Sequence, residues 1–133
     1  MNNREVAATL EQIADVLELL GESVFRANAY RNAGRRIEKL PEDINAVAAR
    51  GELTGIQGVG AGLAATIAEM LSTGRSDLLE QISFNVPPGL LDLLTVPGFG
   101  PKRARSAHLA LGVTTLADLE SAARDGRLAG IAG

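Results

Sequence analysis

The chain has no cysteine and no tryptophan, and its aromatic residues amount to 3% of 133 positions. Without cysteine there can be neither disulfides nor thiolate metal sites. With a single histidine, His108, a zinc centre of the usual His-rich kind cannot be built. No apolar run approaches the ~20 residues needed to cross a bilayer, and the opening MNNREVAATLEQ has no basic-then-apolar leader pattern. The expectation is therefore a cytoplasmic or similarly reducing compartment, with no membrane partner. Strand signals are also missing: alternation is weak and β-branched residues are scattered. What is present is a 46% hydrophobic chain rich in Leu, Ile, Val and Ala, enough for close-packed helices rather than disorder.

Net charge is −3, which speaks against a strongly electrostatic nucleic-acid binder. The average hides structure. Residues 1–24 carry one Arg and five acids, and residues 51–100 again one Arg against five acids. Residues 25–50 carry six basic against three acidic residues, and residues 101–133 five against three. Two basic zones are set in an acidic scaffold.

Periodicity predicts an all-α fold of two small helical bundles, 1–84 and 85–133. Val6, Leu10, Ile13, Leu17 and Leu20 share one helix face, and Gly21 ends that helix. Tyr30, Ala33, Ile37 and Leu40 form a second stripe, with Arg31, Arg35 and Arg36 largely off it. Pro41 is expected to open a short third helix at its first turn. A helix of about Ala61–Ser72 ends at Gly74, and Ser76 and Asp77 are expected as N-terminal caps of the next. FNVPPG is the linker, because two prolines cannot continue a helix. Pro101 opens a helix that Gly112 ends, and Thr114 or Thr115 caps a last one.

One pattern occurs twice. IQGVGAGLAATIAEML begins at Ile56 and VPGFGPKRARSAHLAL at Val96. Each reads hydrophobic, spacer, Gly-hydrophobic-Gly, and then Ala four residues later, at Ala64 and Ala104, where a small residue permits close helix contact. Helix, glycine turn and helix make a helix-hairpin-helix. Gly58, Gly60, Gly98 and Gly100 allow positive φ or close approach of another backbone. The first amides of the following helix lack intrahelical partners, and with the helix dipole they favour a phosphate. Such a contact positions a nucleic acid without reading its sequence. The plainer alternative is a pair of glycine turns that merely join helices. Ile131-Ala132-Gly133 begins a third copy. Only the second copy is basic, with Lys102, Arg103 and Arg105 in its second helix. Cations at a helix N-terminus oppose the dipole, which makes sense if an anion sits there; the alternative is a solvated surface.

The order NAYRNAGRRIEKLPEDI, GVGAGLAATIAEMLSTGR, VPPGLLDLLTVPGFGPKRAR resembles the amino-terminal region of family X DNA polymerases, especially bacterial ones, across nearly the whole chain. The resemblance implies a lyase-like helical domain that grips a 5′-phosphate and a second subdomain that binds duplex DNA beside the polymerase palm. It also implies monovalent Na⁺ or K⁺ on hairpin carbonyls: Thr54, Ile56 and Val59 in the first hairpin, Leu94, Val96 and Phe99 in the second. No other cofactor is required. The family's palm and phosphoesterase domains would lie beyond these 133 residues. The lyase lysine that forms the Schiff base falls at Thr66, which has no amine, and a phosphate-binding lysine falls at Gly62. Phe25 and Thr54 replace polar or basic pocket residues, while Arg26 and Tyr30 are plausible counterparts.

Two functional readings follow. The first is a sequence-independent DNA-binding module of DNA repair, without polymerase or lyase activity, contacting backbone phosphates of gapped or nicked duplex alongside a polymerase catalytic portion. Its contacts would be the four hairpin glycines with Lys102, Arg103 and Arg105, joined by Arg26, Tyr30, Arg31 and Arg35. The second is a degenerate helix-hairpin-helix domain serving as a protein-interaction or structural module, which the net charge and the missing lysines favour.

Overall fold

The computed structural model describes residues 1–130. Among them are seven α-helices: α1 (Asn3–Leu19), α2 (Val24–Glu38), α3 (Ile44–Ala49), α4 (Ala61–Thr73), α5 (Asp77–Phe84), α6 (Pro101–Leu111) and α7 (Leu116–Arg124). Short 3-10 segments cover Leu53–Gly55, Leu90–Thr95 and Arg127–Gly130. There is no strand among the described residues, so the expected all-α class is the class found. The partial third glycine motif, Ile131–Gly133, lies outside them.

Local chemistry explains most helix ends. Asn2 and Glu5 form a reciprocal capping box at the start of α1: the Glu5 amide donates to the Asn2 side chain at 2.8 Å and the Asn2 amide to the Glu5 carboxylate at 3.0 Å. Ser76 caps α5 and Thr115 caps α7 through side-chain oxygens. Pro41 departs from expectation. α3 starts at Ile44 with Asp43 as its cap, accepting from the Asn45 amide at 2.9 Å. Had Pro41 opened the helix, the cap would have been Leu40, whose side chain accepts nothing; Asp43 is the better cap. The turn before α3 is tied to the start of α1 by Asn3, whose side chain accepts from the Ile44 amide and donates to the Glu42 carbonyl, both at 2.8 Å.

Two apolar clusters form the interior. The first joins Val6, Leu10, Ile13 and Leu17 of α1 to Tyr30, Ala33 and Ile37 of α2, Ile44 and Val47 of α3, and Ile67 and Met70 of α4. Fully burying each such Leu or Ile contributes about 1.5–3 kcal/mol. Gly34 lets α1 and α2 approach: a Cβ there would lie 3.1 Å from the Ala7 carbonyl oxygen. The second cluster gathers Val86, Leu90, Leu93, Phe99, Ala104, Ala107, Val113, Leu119 and Ala122. It also takes Val16 and Leu19 from α1, which thus presents one face to each cluster. Leu79 and Ile82 of α5 pack against both.

Candidate nucleic-acid interface

The two glycine turns share one backbone design. In the first, the Val59 amide donates to the Ile56 carbonyl at 3.0 Å; in the second, the Phe99 amide donates to the Val96 carbonyl at 3.0 Å. Gly58 and Gly98 both take the left-handed conformation, at φ 87° and 76°, so the turn itself demands glycine there. Val59 and Phe99 point inward and are buried as plugs. The helix leading into each turn is a 3-10 segment, Leu53–Gly55 or Leu90–Thr95, rather than a regular α-helix.

Gly60 and Gly100 differ from the other two. They are the caps of α4 and α6, at φ −88° and −77° with extended ψ, a conformation open to any residue. No side chain caps either helix. A Cβ added at Gly60 or Gly100 would meet nothing within 4 Å. Neither backbone strain nor crowding therefore demands glycine at these two positions, although glycine is a better helix N-cap than a bulkier apolar residue. The bare caps leave the second and third amides of each helix, Gly62 and Leu63 or Lys102 and Arg103, without intrahelical acceptors.

Side chains separate the two hairpins. Lys102 and Arg103 are exposed at the start of α6 and have no carboxylate partner among the described residues. The Arg103 guanidinium stacks over the Phe99 ring, 5.6 Å from its centroid, a cation–π contact that holds the charge against the hairpin. Arg105 behaves otherwise. It lies about 200° around the helix from Arg103, and its Nη1 donates to the Leu19 carbonyl at 3.2 Å. Its guanidinium covers Gly21 so closely that a Cβ there would lie 2.4 Å from Cζ. Arg105, expected among the DNA contacts, is thus engaged within the chain: it caps the end of α1, where a cation complements the dipole, and joins α1 to α6.

The basic residues of α2 divide in the same way. Arg31 is turned inward onto Asp15, at 2.8 Å, and Glu18. Burial lowers its pKa, but the bonds to Glu18 and Asp15 outweigh that and hold it above its ordinary value. Its charge is neutralised inside the chain. Tyr30 is buried in the first cluster, as its place on the apolar stripe requires. Arg26 and Arg35 are exposed, and Arg35 donates to the Asn32 side chain at 3.3 Å. The α4 helix has no basic residue at all. Thr66 donates its hydroxyl to the Gly62 carbonyl at 3.2 Å, bonding back to its own helix.

Three cations escaped the sequence reading. Arg36, Lys39 and Arg50 join Arg35 around an open cleft of about 1140 Å³ beside the first hairpin. Their signals in the sequence are the positive balance of residues 25–50 and, for Arg36, a place off the apolar stripe of its helix. Among the described residues no group of His, Cys, Asp and Glu could hold a metal ion, and His108 faces the Val113 carbonyl at 3.1 Å. No helix among them is long and apolar enough to cross a membrane.

The helix-hairpin-helix domain family matches residues 1–76. The chain belongs to the helix-hairpin-helix family. A SAM-like helix-hairpin-helix tandem matches residues 90–133, the segment that holds the basic hairpin. Over all 133 residues this helix-hairpin-helix chain is 31% identical to the amino-terminal part of the DNA polymerase/3'-5' exonuclease PolX of Bacillus subtilis (strain 168), and it spans 23% of that protein.

Proposed function

We propose that the chain is a sequence-independent DNA-binding module of the kind found at the amino terminus of family X polymerases. The observation that carries this reading is the pair Gly60 and Gly100. Neither glycine is demanded by φ or by crowding, both leave open space where a Cβ would stand, and both sit before helix amides that lack intrahelical partners, where an incoming phosphate oxygen can be bound. The second hairpin is the principal grip, because Lys102 and Arg103 add charge to the amides of α6. Such contacts hold backbone and leave sequence unread, which suits a gapped or nicked duplex in DNA repair beside a polymerase catalytic portion, in the cytoplasm.

Na⁺ or K⁺ fits the hairpins by donor chemistry. The carbonyls of Thr54, Ile56 and Val59, and of Leu94, Val96 and Phe99, offer neutral oxygen donors of the kind that replace an alkali ion's hydration shell. A cation there would add positive charge beside the phosphate. These 133 residues carry neither polymerase chemistry nor a lyase amine, since Thr66 stands at the Schiff-base position; borohydride trapping on an abasic oligonucleotide is expected to give no covalent adduct.

A salt titration tests the reading. With about two to four phosphates neutralised, log K against log salt for duplex DNA should slope at roughly −2 to −4, with similar affinity for unrelated sequences. The second reading, a protein-interaction module, draws on the absence of basic residues from α4 and the overall charge of −3. It takes over if no salt-dependent binding is seen even at low ionic strength.

A further inference from the structure

The plugs of the two turns, Val59 and Phe99, are each followed four residues later by the third residue of the next helix, Leu63 in α4 and Arg103 in α6. Side chains of a helix lean back toward its N-terminus, so this third residue reaches the turn that precedes the helix. In the first hairpin Leu63 packs against the apolar cluster that holds Val59, and the pair is part of the core. In the second hairpin the same two positions hold an aromatic ring and a cation, with Arg103 Cζ 5.6 Å from the Phe99 centroid. The ring is only 7% exposed and belongs to the second cluster, so its orientation is fixed by the core. Arg103 is exposed and has no carboxylate partner among the described residues. Lys102 stands about 100° around the helix and makes no ring contact among the described residues. A packing role alone is met in the first hairpin by Leu63, without charge; the second hairpin places a cation there and an aromatic plug under it.

We propose that Phe99 is a positioning residue for duplex binding: its ring holds the Arg103 guanidinium at the turn in the free protein, beside the Lys102 and Arg103 amides that lack intrahelical acceptors. A cation within about 6 Å of a ring centroid is attracted to the ring face. A long side chain already held in this way has less rotamer freedom to lose when it meets a phosphate than one that moves freely in solvent. Lys102, an ammonium on a flexible stem, remains a mobile point charge. The two cations at the start of α6 are therefore not equivalent: Arg103 is directed, and the buried plug beneath it sets part of the affinity. This deepens the DNA-binding reading and rests on it.

Phe99→Leu removes the ring and keeps an apolar plug. The test is a double-variant cycle on a blunt duplex, read by fluorescence anisotropy, with the parent, Phe99→Leu, Arg103→Gln and the two combined. Urea unfolding checks that each variant is folded under the binding conditions. Phe99→Leu should weaken duplex binding about three- to fivefold, the range of an exposed cation–π contact. Arg103→Gln should weaken it about fivefold or more, through loss of a charged hydrogen bond. In the Arg103→Gln background, Phe99→Leu should change affinity by less than about 1.5-fold, because residues that act through one contact are not additive. In the Lys102→Gln background its effect should persist in full. If Phe99→Leu does not fold, Phe99→Met replaces the ring with a side chain that adapts to irregular gaps. A further measurement needs no variant: NMR relaxation of the Arg103 Nε–H group in the DNA-free parent should give a higher order parameter than at the exposed Arg4 and Arg26. The inference is overturned if the folded variant without the ring binds like the parent, or if it weakens binding equally with and without Arg103. It is also overturned if Lys102→Gln abolishes the effect as fully as Arg103→Gln, or if the Arg103 side chain is as mobile as that of Arg26. Each of these results leaves the DNA-binding reading standing. A parent that binds no duplex even at low ionic strength overturns both.

Discussion

The two hairpins are the same backbone with different equipment. Their turn hydrogen bonds agree in length, their first glycines share the left-handed conformation, and their second glycines cap the next helix in the same extended geometry. Yet α6 begins Pro-Lys-Arg while α4 begins Ala-Gly-Leu. Backbone design and charge are therefore separable features of these hairpins. The fold needs the turn and its plug, Val59 or Phe99; the cations at the helix start are independent of it. Beside the first hairpin, where they are absent, Arg35 and Arg36 of α2 line the neighbouring cleft.

The largest expected effect removes this asymmetry. Lys102→Glu with Arg103→Glu should lower duplex affinity more than tenfold and make the salt slope shallower by about 2, at roughly 0.9 per phosphate. A folded double variant that titrates like the parent would exclude the second hairpin as the main site. Next come the cap glycines. Because Gly100 and Gly60 have ordinary φ and open space around a Cβ, Gly100→Val should cost only the cap preference, about 1 kcal/mol, while weakening duplex binding about fivefold. Gly60→Val should weaken it less. Gly98→Ala is the contrasting case: at φ 76° it should cost about 1–2 kcal/mol of stability, measured by urea unfolding.

Arg105 tests whether proximity to the hairpin is enough to contact DNA. Arg105→Ala removes a charged hydrogen bond to the Leu19 carbonyl. It should lower stability by about 1 kcal/mol, a charged bond's contribution discounted for partial exposure, with less than a twofold change in duplex affinity. The smallest effect is the acid limb, common to both bundles. Hydrogen bonds from Asn45 to Asp43, and from the Thr114 amide first to Asp118, hold both carboxyls below their usual pKa. A depressed folded-state pKa contributes stability above the unfolded value of about 3.9 that is lost as pH falls through the lower folded value. Circular dichroism melts should therefore hold steady down to pH 5 and weaken slightly below pH 4. Asp43→Asn or Asp118→Asn should reduce that dependence.

Much of the molecule was legible because it is local. Helix stripes, the Ser76 and Thr115 caps, the stops at Gly74 and Gly112, and the repeated glycine turn all depend on residues within a few positions of one another. The hairpin repeat could be read without structure because two copies share the same Gly-hydrophobic-Gly spacing and the same Ala. Pro41 was misread because proline at a first turn is only a tendency, and the choice of Asp43 as cap depended on which neighbour could accept the Asn45 amide.

The sequence by itself determined an all-α chain, where its helices stop, and the two hairpins with one basic helix start. Only the tertiary structure decided which arginines are free. Arg31 and Arg105 look like surface cations in the sequence, but partners 13 and 86 positions away, Glu18 and Leu19, hold them. Arg36, Lys39 and Arg50 are unremarkable in sequence, and they meet only because α2, α3 and the first hairpin fold around one cleft. The reason is range. Backbone hydrogen bonds and caps are satisfied within a turn or two of the chain, whereas the partner of a long charged side chain is set by which helices the buried faces of α1 draw together.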